Sequence, residues 1–378
     1  MSEITSIAKK WEDMETDVLV KIFKELNMIE LAPVSQVCRL WRSACSDPLL
    51  WNTLDLGLLK SNFIQTRASP FIWVDERSDR KLSKLLRIAM ALSHGNITCL
   101  IFHFNLYMKD DHLSYIAERH YPSLTWNFFS PCWSSSIQKT TEKSHNVKVA
   151  ILSIEICYLI EKKRALEAKR NSKRCPHLKR LVMPAWNRIT KTGISLAIRR
   201  WKELESLTMP SIAHPPYIME EISRNCKNFS SLKIMGNFDV HFASTIASYL
   251  PNLKTLSLRC SILTKEALLF ILDCMDHLEI LNVSHCFLLE SLSTVGRKQI
   301  IKEMDCAILE KARKLHEFHY CMSTSCVTCQ RMISDEGLMR WYRYEEWFWR
   351  QDEVGSLALG GDYGRLFDEG CLNLGFRN

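Results

Sequence analysis

Hydrophobic positions along the chain follow two different periods. Over residues 16–27, TDVLVKIFKELN, the apolar Val18, Leu19, Ile22, Phe23 and Leu26 share one stripe of a 3.6-residue helix. Thr16 or Asp17 is the expected cap, because a short oxygen side chain accepts the free amides of a first turn. Leu31, Val34, Val37, Cys38 and Trp41 mark a second helical region, closed by the turn signal Asp47-Pro48 ahead of Leu49-Leu50-Trp51. These short helices have wider apolar faces than they can bury among themselves.

Further on, the pattern becomes Leu-x-x-Leu-x-apolar. It recurs at Leu178/Leu181/Met183, Leu204/Leu207/Met209, Phe229/Leu232/Ile234, Leu253/Leu256/Leu258 and Leu278/Leu281/Val283. The central leucines are spaced 26, 25, 24 and 25 apart. A period of this length is that of a leucine-rich repeat, one short strand and one return helix per unit. The groups Ile194/Ala197/Ile198/Trp201 and Met219/Ile222 suit the helices. Cys175, Cys226, Cys260 and Cys286 recur at fixed places beside the strands and read as small buried thiols.

An earlier unit, Ile97/Leu100/Phe102, breaks the period, since Leu100 and Leu181 stand 81 residues apart. Removing residues 121–174 restores a spacing of 27. That segment is foreign in composition, aromatic and serine-rich at first, then basic in EKKRALEAKRNSKR. Two readings stay open: an insertion of translated intron sequence, or a functional loop with a helical finger over 147–170.

Taken in order, WEDMETDVLVKIFKELNMIELAPVSQVCRLWRSACSDPLLW resembles the F-box. The matching positions are Leu19, Ile22-Phe23, Val37-Cys38-Arg39, Trp41-Arg42 and Leu50-Trp51, with Met14-Glu15 where the family has Leu-Pro. With the repeats behind it, the chain resembles a plant F-box/LRR-repeat protein from about residue 9 to 359. The resemblance implies an α/β fold: F-box helices at 8–56, then an open leucine-rich-repeat solenoid of parallel strands with helices outside. The solenoid divides into 57–120, the insertion 121–174, repeats at 175–320, a capping region at 321–359 and a tail at 360–378.

The resemblance also implies a function, that of a substrate-recognition subunit of an SKP–cullin–F-box ubiquitin ligase with no catalysis of its own. The SKP-type adaptor, and through it a cullin, would dock on Met14, Leu19, Ile22, Phe23, Leu31, Val37, Cys38 and Trp41. The alternative is a repeat scaffold that enters no ligase. Within each repeat strand the leucines point inward, so their neighbours line the opposite face. Arg180, Thr208, Lys233, Ser257 and Asn282, with Arg259 at a strand end, are the expected substrate contacts, a mildly basic set that suits an acidic or phosphorylated peptide.

Composition trims the other classes. The chain has 378 residues, with 50 basic against 42 acidic, a formal charge of +8. Residues 121–174 contain ten of the basic and four of the acidic residues, leaving the remainder nearly neutral, so a nucleic-acid role loses its basis. Only 12 glycines are present, and no phosphate loop, HExxH or GxSxG motif occurs. No secretory signal or membrane-length apolar run is visible, so a nuclear and/or cytoplasmic location with reduced thiols is expected. No cofactor is expected. Cys321, Cys326 and Cys329, with His316 and His319 ahead of them, have metal-like spacing, and zinc ligation stays open beside a purely structural role. The aromatic stretch Trp341–Trp349 reads as a helix closing the array.

Overall fold

The computed structural model describes residues 14–56, 76–102, 107–117, 175–184, 186–209, 215–291 and 298–334. The insertion at 121–174, the aromatic stretch at 341–349 and the tail lie outside these residues. By contacts the chain divides into one unit of Met1–Ala117 with Cys175–Asn378 and a second of Glu118–Arg174. The first unit holds the helical head and every described repeat.

Three short helices open that unit: α1 (Thr16–Phe23), α2 (Met28–Val34) and α3 (Arg39–Ala44). The cap of α1 is Glu15, which makes no side-chain capping bond, and Thr16 lies inside the helix. Asp17 therefore acts through the helix dipole in the first turn rather than as the cap. Cys38 caps α3, its sulfur accepting from the Trp41 amide at 3.4 Å. Phe23 meets Trp41 edge to face with centroids 5.5 Å apart. The indole of Trp51, almost fully buried, donates to the Cys45 carbonyl at 2.7 Å.

An eight-stranded parallel sheet comes next: β1 (Thr53–Asp55), β2 (Cys99–Ile101), β4 (Arg180–Val182), β6 (Ser206–Met209), β7 (Ser231–Ile234), β9 (Thr255–Ser257), β11 (Ile280–Asn282) and β14 (Glu317–His319), in that spatial order. Its first strand belongs to the segment assigned to the F-box, so head and array share one sheet. The sheet is open, with β1 and β14 at its edges. Register is strict. Leu54, Leu100, Leu181, Leu207, Leu232, Leu256, Leu281 and Phe318 face one another across consecutive strands. The seven leucines are at most 2% exposed. A one-residue slip would turn this whole row out of the core, which is why the apolar pattern fixes the register. Leu100 pairs directly with Leu181, so the array runs on past the chain between them.

Below the strands runs a second, backbone-only spine. The carbonyl of Lys179 accepts from the amides of Glu205 and Ser206, and that of Glu205 accepts from Ser230 and Ser231. Ser230, Lys254 and Glu279 carry the same paired acceptance on to His316 and Glu317, at 2.8–3.0 Å throughout. Each turn thus satisfies the next, as buried backbone requires.

The outer layer is α4 (Glu76–Ser93), α5 (Asp110–Ala117), α6 (Lys191–Arg200), α7 (Pro215–Asn225), α8 (Val240–Tyr249), α9 (Lys265–Cys274) and α10 (Cys306–Ala312). Thr190, Asp239, Thr264 and Asp305 cap α6, α8, α9 and α10. Short strands run into several of these helices. β8 (Asn237–Phe238), β10 (Ile262–Thr264), β12 (Phe287–Ser291) and β13 (Lys298–Ile300) form a four-stranded sheet, and β3 (Tyr107–Lys109) pairs with β5 (Trp186–Arg188). The last described helix, α11 (Val327–Ser334), comes after β14.

Candidate functional site

The helical head sorts its apolar residues sharply. Leu19, Phe23 and Leu31, expected among the adaptor contacts, are instead core residues at 0%, 3% and 5% exposure. The reason is geometric: on an eight-residue helix, positions 19 and 23 lie one turn apart on the face turned toward α3. Among the described side chains of the head, the large apolar residues left to solvent are Val18, Ile22, Val37 and Leu49, exposed by 41%, 42%, 62% and 75%. Of the remaining expected contacts, Met14, Cys38 and Trp41 are half-buried. Val18 and Leu49 were missed as surface residues, because periodicity marks an apolar stripe without saying which edge of it stays open.

On the sheet, the face opposite the leucines carries two rows. Thr208, Lys233, Ser257 and Asn282, expected to meet a substrate, are instead shielded at 2–8% exposure. They follow one another across the register, each flanked by the next strand's residue at a parallel-sheet spacing of about 4.8 Å. The other row is more open except at Ser206, which is buried: Arg180 is exposed, while Ser231, Thr255 and Ile280 are half-buried. Arg259 is half-buried at the end of its strand.

The repeat thiols are structural in their contacts. Cys226, buried, donates to the Trp201 carbonyl at 3.3 Å, and Cys286 donates to Leu258 at 3.1 Å. Burial pushes both thiols up to about 12, so neither supplies a nucleophilic thiolate at neutral pH. Cys175 sits against the Met90 sulfur at 3.4 Å.

A different arrangement appears beyond the last strand. Cys321 follows β14, Cys326 and Cys329 stand at the start of α11, and their sulfurs gather around the imidazole of His285, which follows β11. His316 and His319, the histidines suggested by chain proximity, take no part; His319 bonds Glu317 at 2.8 Å. Burial lowers the pKa of His285, leaving it a neutral imidazole near pH 7. The three thiols titrate together: their mutual hydrogen bonds lower the pKa of Cys326 and raise those of Cys321 and Cys329.

A helical head with four exposed aliphatic side chains leads into an open parallel repeat sheet. An F-box-like family model matches residues 16–57. An F-box/LRR-repeat protein of Arabidopsis thaliana is 45% identical over 354 residues, covering 93% of this chain and 97% of its own. F-box protein SKIP1 of the same plant is 24% identical over 322 residues, 78% of this chain and 86% of its own. The chain belongs to the F-box/LRR-repeat family. Such proteins generally serve SCF-type ubiquitin ligases as non-catalytic receptors. Among the described residues, no helix is long and apolar enough to cross a membrane.

Proposed function

We propose that this chain is the substrate-recognition subunit of an SKP–cullin–F-box ligase, binding the SKP-type adaptor through Val18, Ile22, Val37 and Leu49 and a protein substrate through the open strand row around Arg180. The observation that carries this reading is the set of four exposed aliphatic side chains on a head whose other apolar residues are largely packed inside. Burying such groups against a partner's helices is the usual source of affinity for a groove of this kind. The chain would perform no covalent step. Its contribution is proximity, raising the effective concentration of a substrate lysine near the charged thioester carried by the cullin arm.

The test is adaptor capture by full-length chain. Val37 has 62% of its surface left to bury, worth about 1–2 kcal/mol, and an aspartate there adds the cost of desolvating a carboxylate. Val37→Asp and Leu49→Asp should therefore each weaken capture by more than about tenfold while leaving the unfolding midpoint unchanged. Unchanged capture in the double variant would leave the non-ligase scaffold as the reading. Leu19→Asp is an unsuitable probe, because it buries a charge in the core of the head.

A further inference from the structure

We propose that His285, Cys321, Cys326 and Cys329 hold one zinc ion, a structural site that ties the last described helix to the end of the sheet. The four ligand atoms all lie within 4.8 Å of one another. His285 Nδ1 stands 3.3 Å from the Cys329 sulfur and 3.5 Å from that of Cys326, and the sulfurs of Cys321 and Cys329 are 3.6 Å apart. A tetrahedral zinc with bonds of about 2.3 Å to sulfur and 2.0–2.1 Å to nitrogen requires edges of roughly 3.8 Å between sulfurs and about 3.5 Å from nitrogen to sulfur. These three edges match those lengths to within a few tenths of an ångström. The donor set, three thiolates and one imidazole, is a standard zinc complement.

The arrangement differs from the repeat thiols in kind. Cys226 and Cys286 each sit singly under a carbonyl of the preceding repeat. Here three sulfurs and an imidazole meet chiefly one another, and three of the four residues are buried. Weak thiol hydrogen bonds are a poor reason to gather so many soft ligands in one place.

His285 also occupies a costly backbone position, with φ at 58°. The matching residue one repeat earlier, Cys260, has φ at 56°. Their amides make related bonds to the next strand's turn, Cys260 to Ser284 and His285 to Cys321. A histidine is therefore set into a turn shared by consecutive repeats, at the one turn that faces Cys321.

The need for such a cross-link is local. A repeat array has to close its last unit, and β14 is a sheet edge. The helix α11 has eight residues, too few to stand alone in water. One ion would bind it to the turns after β11 and β14 at once. No residue of the adaptor or substrate surfaces takes part.

The experiment uses full-length chain purified under reducing conditions without added metal. Elemental mass spectrometry should find about one zinc per chain, retained through dialysis. Cys326→Ser should lose it, and cobalt(II) replacement in the wild type should give the visible bands of a tetrahedral thiolate complex. His285→Cys, which matches the residue found at Cys260, should keep the metal and shift those bands toward a four-sulfur set. A folded wild-type chain without zinc and without a cobalt–thiolate spectrum overturns the proposal, and so does a Cys321–Cys329 disulfide under the same conditions. Zinc retained unchanged by a Cys326→Ser/Cys329→Ser variant overturns it too, by placing the ion among other cysteines.

Discussion

Replacing Leu232 by alanine tests whether the register row of leucines is what holds the array together. Leu232 on β7 is fully buried, with Leu207 opposite it on β6 and Leu256 opposite it on β9, both also fully buried. The substitution removes three carbons, about 0.8 kcal/mol each in transfer free energy, or roughly 2–2.5 kcal/mol. Strands on both sides are fixed by paired backbone hydrogen bonds, so the walls have little freedom to collapse into the gap, and a cavity cost raises the total to about 3–4 kcal/mol. In a linear array each unit rests on its neighbours, so the loss should spread to both adjoining strands rather than stay at β7. Urea unfolding gives the total, and hydrogen exchange read by mass spectrometry gives the spread, with amide protection falling in β6, β7 and β9 together. Ser231→Ala, at a half-buried position on the opposite face of the same strand, should stay within about 0.5 kcal/mol of wild type. A Leu232→Ala loss below about 1 kcal/mol, with protection unchanged, would refute the row as the packing spine.

Single contacts supply two further tests. A Cβ added at Gly193 would stand 2.2 Å from Oδ1 of Asp110, whose carboxylate is held by the Thr190 amide at 2.8 Å and hydroxyl at 2.6 Å. Gly193→Ala should therefore cost about 1–3 kcal/mol in thermal or urea unfolding despite its better helix propensity, and a gain in stability would show the carboxylate free to move aside. Glu221, nearly buried, receives two bonds from the Arg199 guanidinium, 2.9 Å from Nε and 2.6 Å from Nη2, which hold its carboxyl below the usual range. A depressed folded pKa stabilises above the unfolded value of about 4.3 and that contribution disappears as pH falls through the folded one. Arg199→Gln should thus be less stable than wild type at neutral pH and converge with it on acidification below about pH 4, and a gap independent of pH would refute the linkage.

The parts of the fold that one period can encode were readable in advance. Every central leucine of the repeats is in the core and in register, because a short strand every 25 residues has only one way to stack its apolar side. The outer helices behave likewise, with Ile194, Ala197, Ile198, Trp201, Met219 and Ile222 all buried. Less was legible where burial depends on a neighbour rather than on the residue itself. Thr208, Ser257 and Asn282 are polar and alternate correctly, yet flanking strands shield them. Val18 and Leu19 are adjacent aliphatics, and only the position of α3 decides which one faces water. The short strands β8 and β10 escaped notice because two or three residues ahead of a helix carry no period of their own.

The histidine of the sulfur cluster was the least legible feature, for a reason that applies to any repeat protein. Chain proximity pointed to His316 and His319, which lie within five residues of Cys321. The array's geometry works on another scale: parallel stacking places a residue beside its counterpart one repeat away, not beside its neighbour in sequence. His285 lies 36 residues before Cys321 in the chain but one strand away in the sheet, with its amide bonded to the Cys321 carbonyl at 2.9 Å. The period of about 25 does not pair the two either, because the longer connection through β12, β13 and α10 stretches this interval to 36 residues, and only the adjacency of β11 and β14 in the sheet brings them together. The same folding of sequence distance brings Lys179 to Glu205 at 2.9 Å and Lys254 to Glu279 at 2.7 Å, ion pairs between residues 25 or 26 apart. In this protein, chemistry between side chains is therefore to be sought one repeat away before it is sought nearby in sequence.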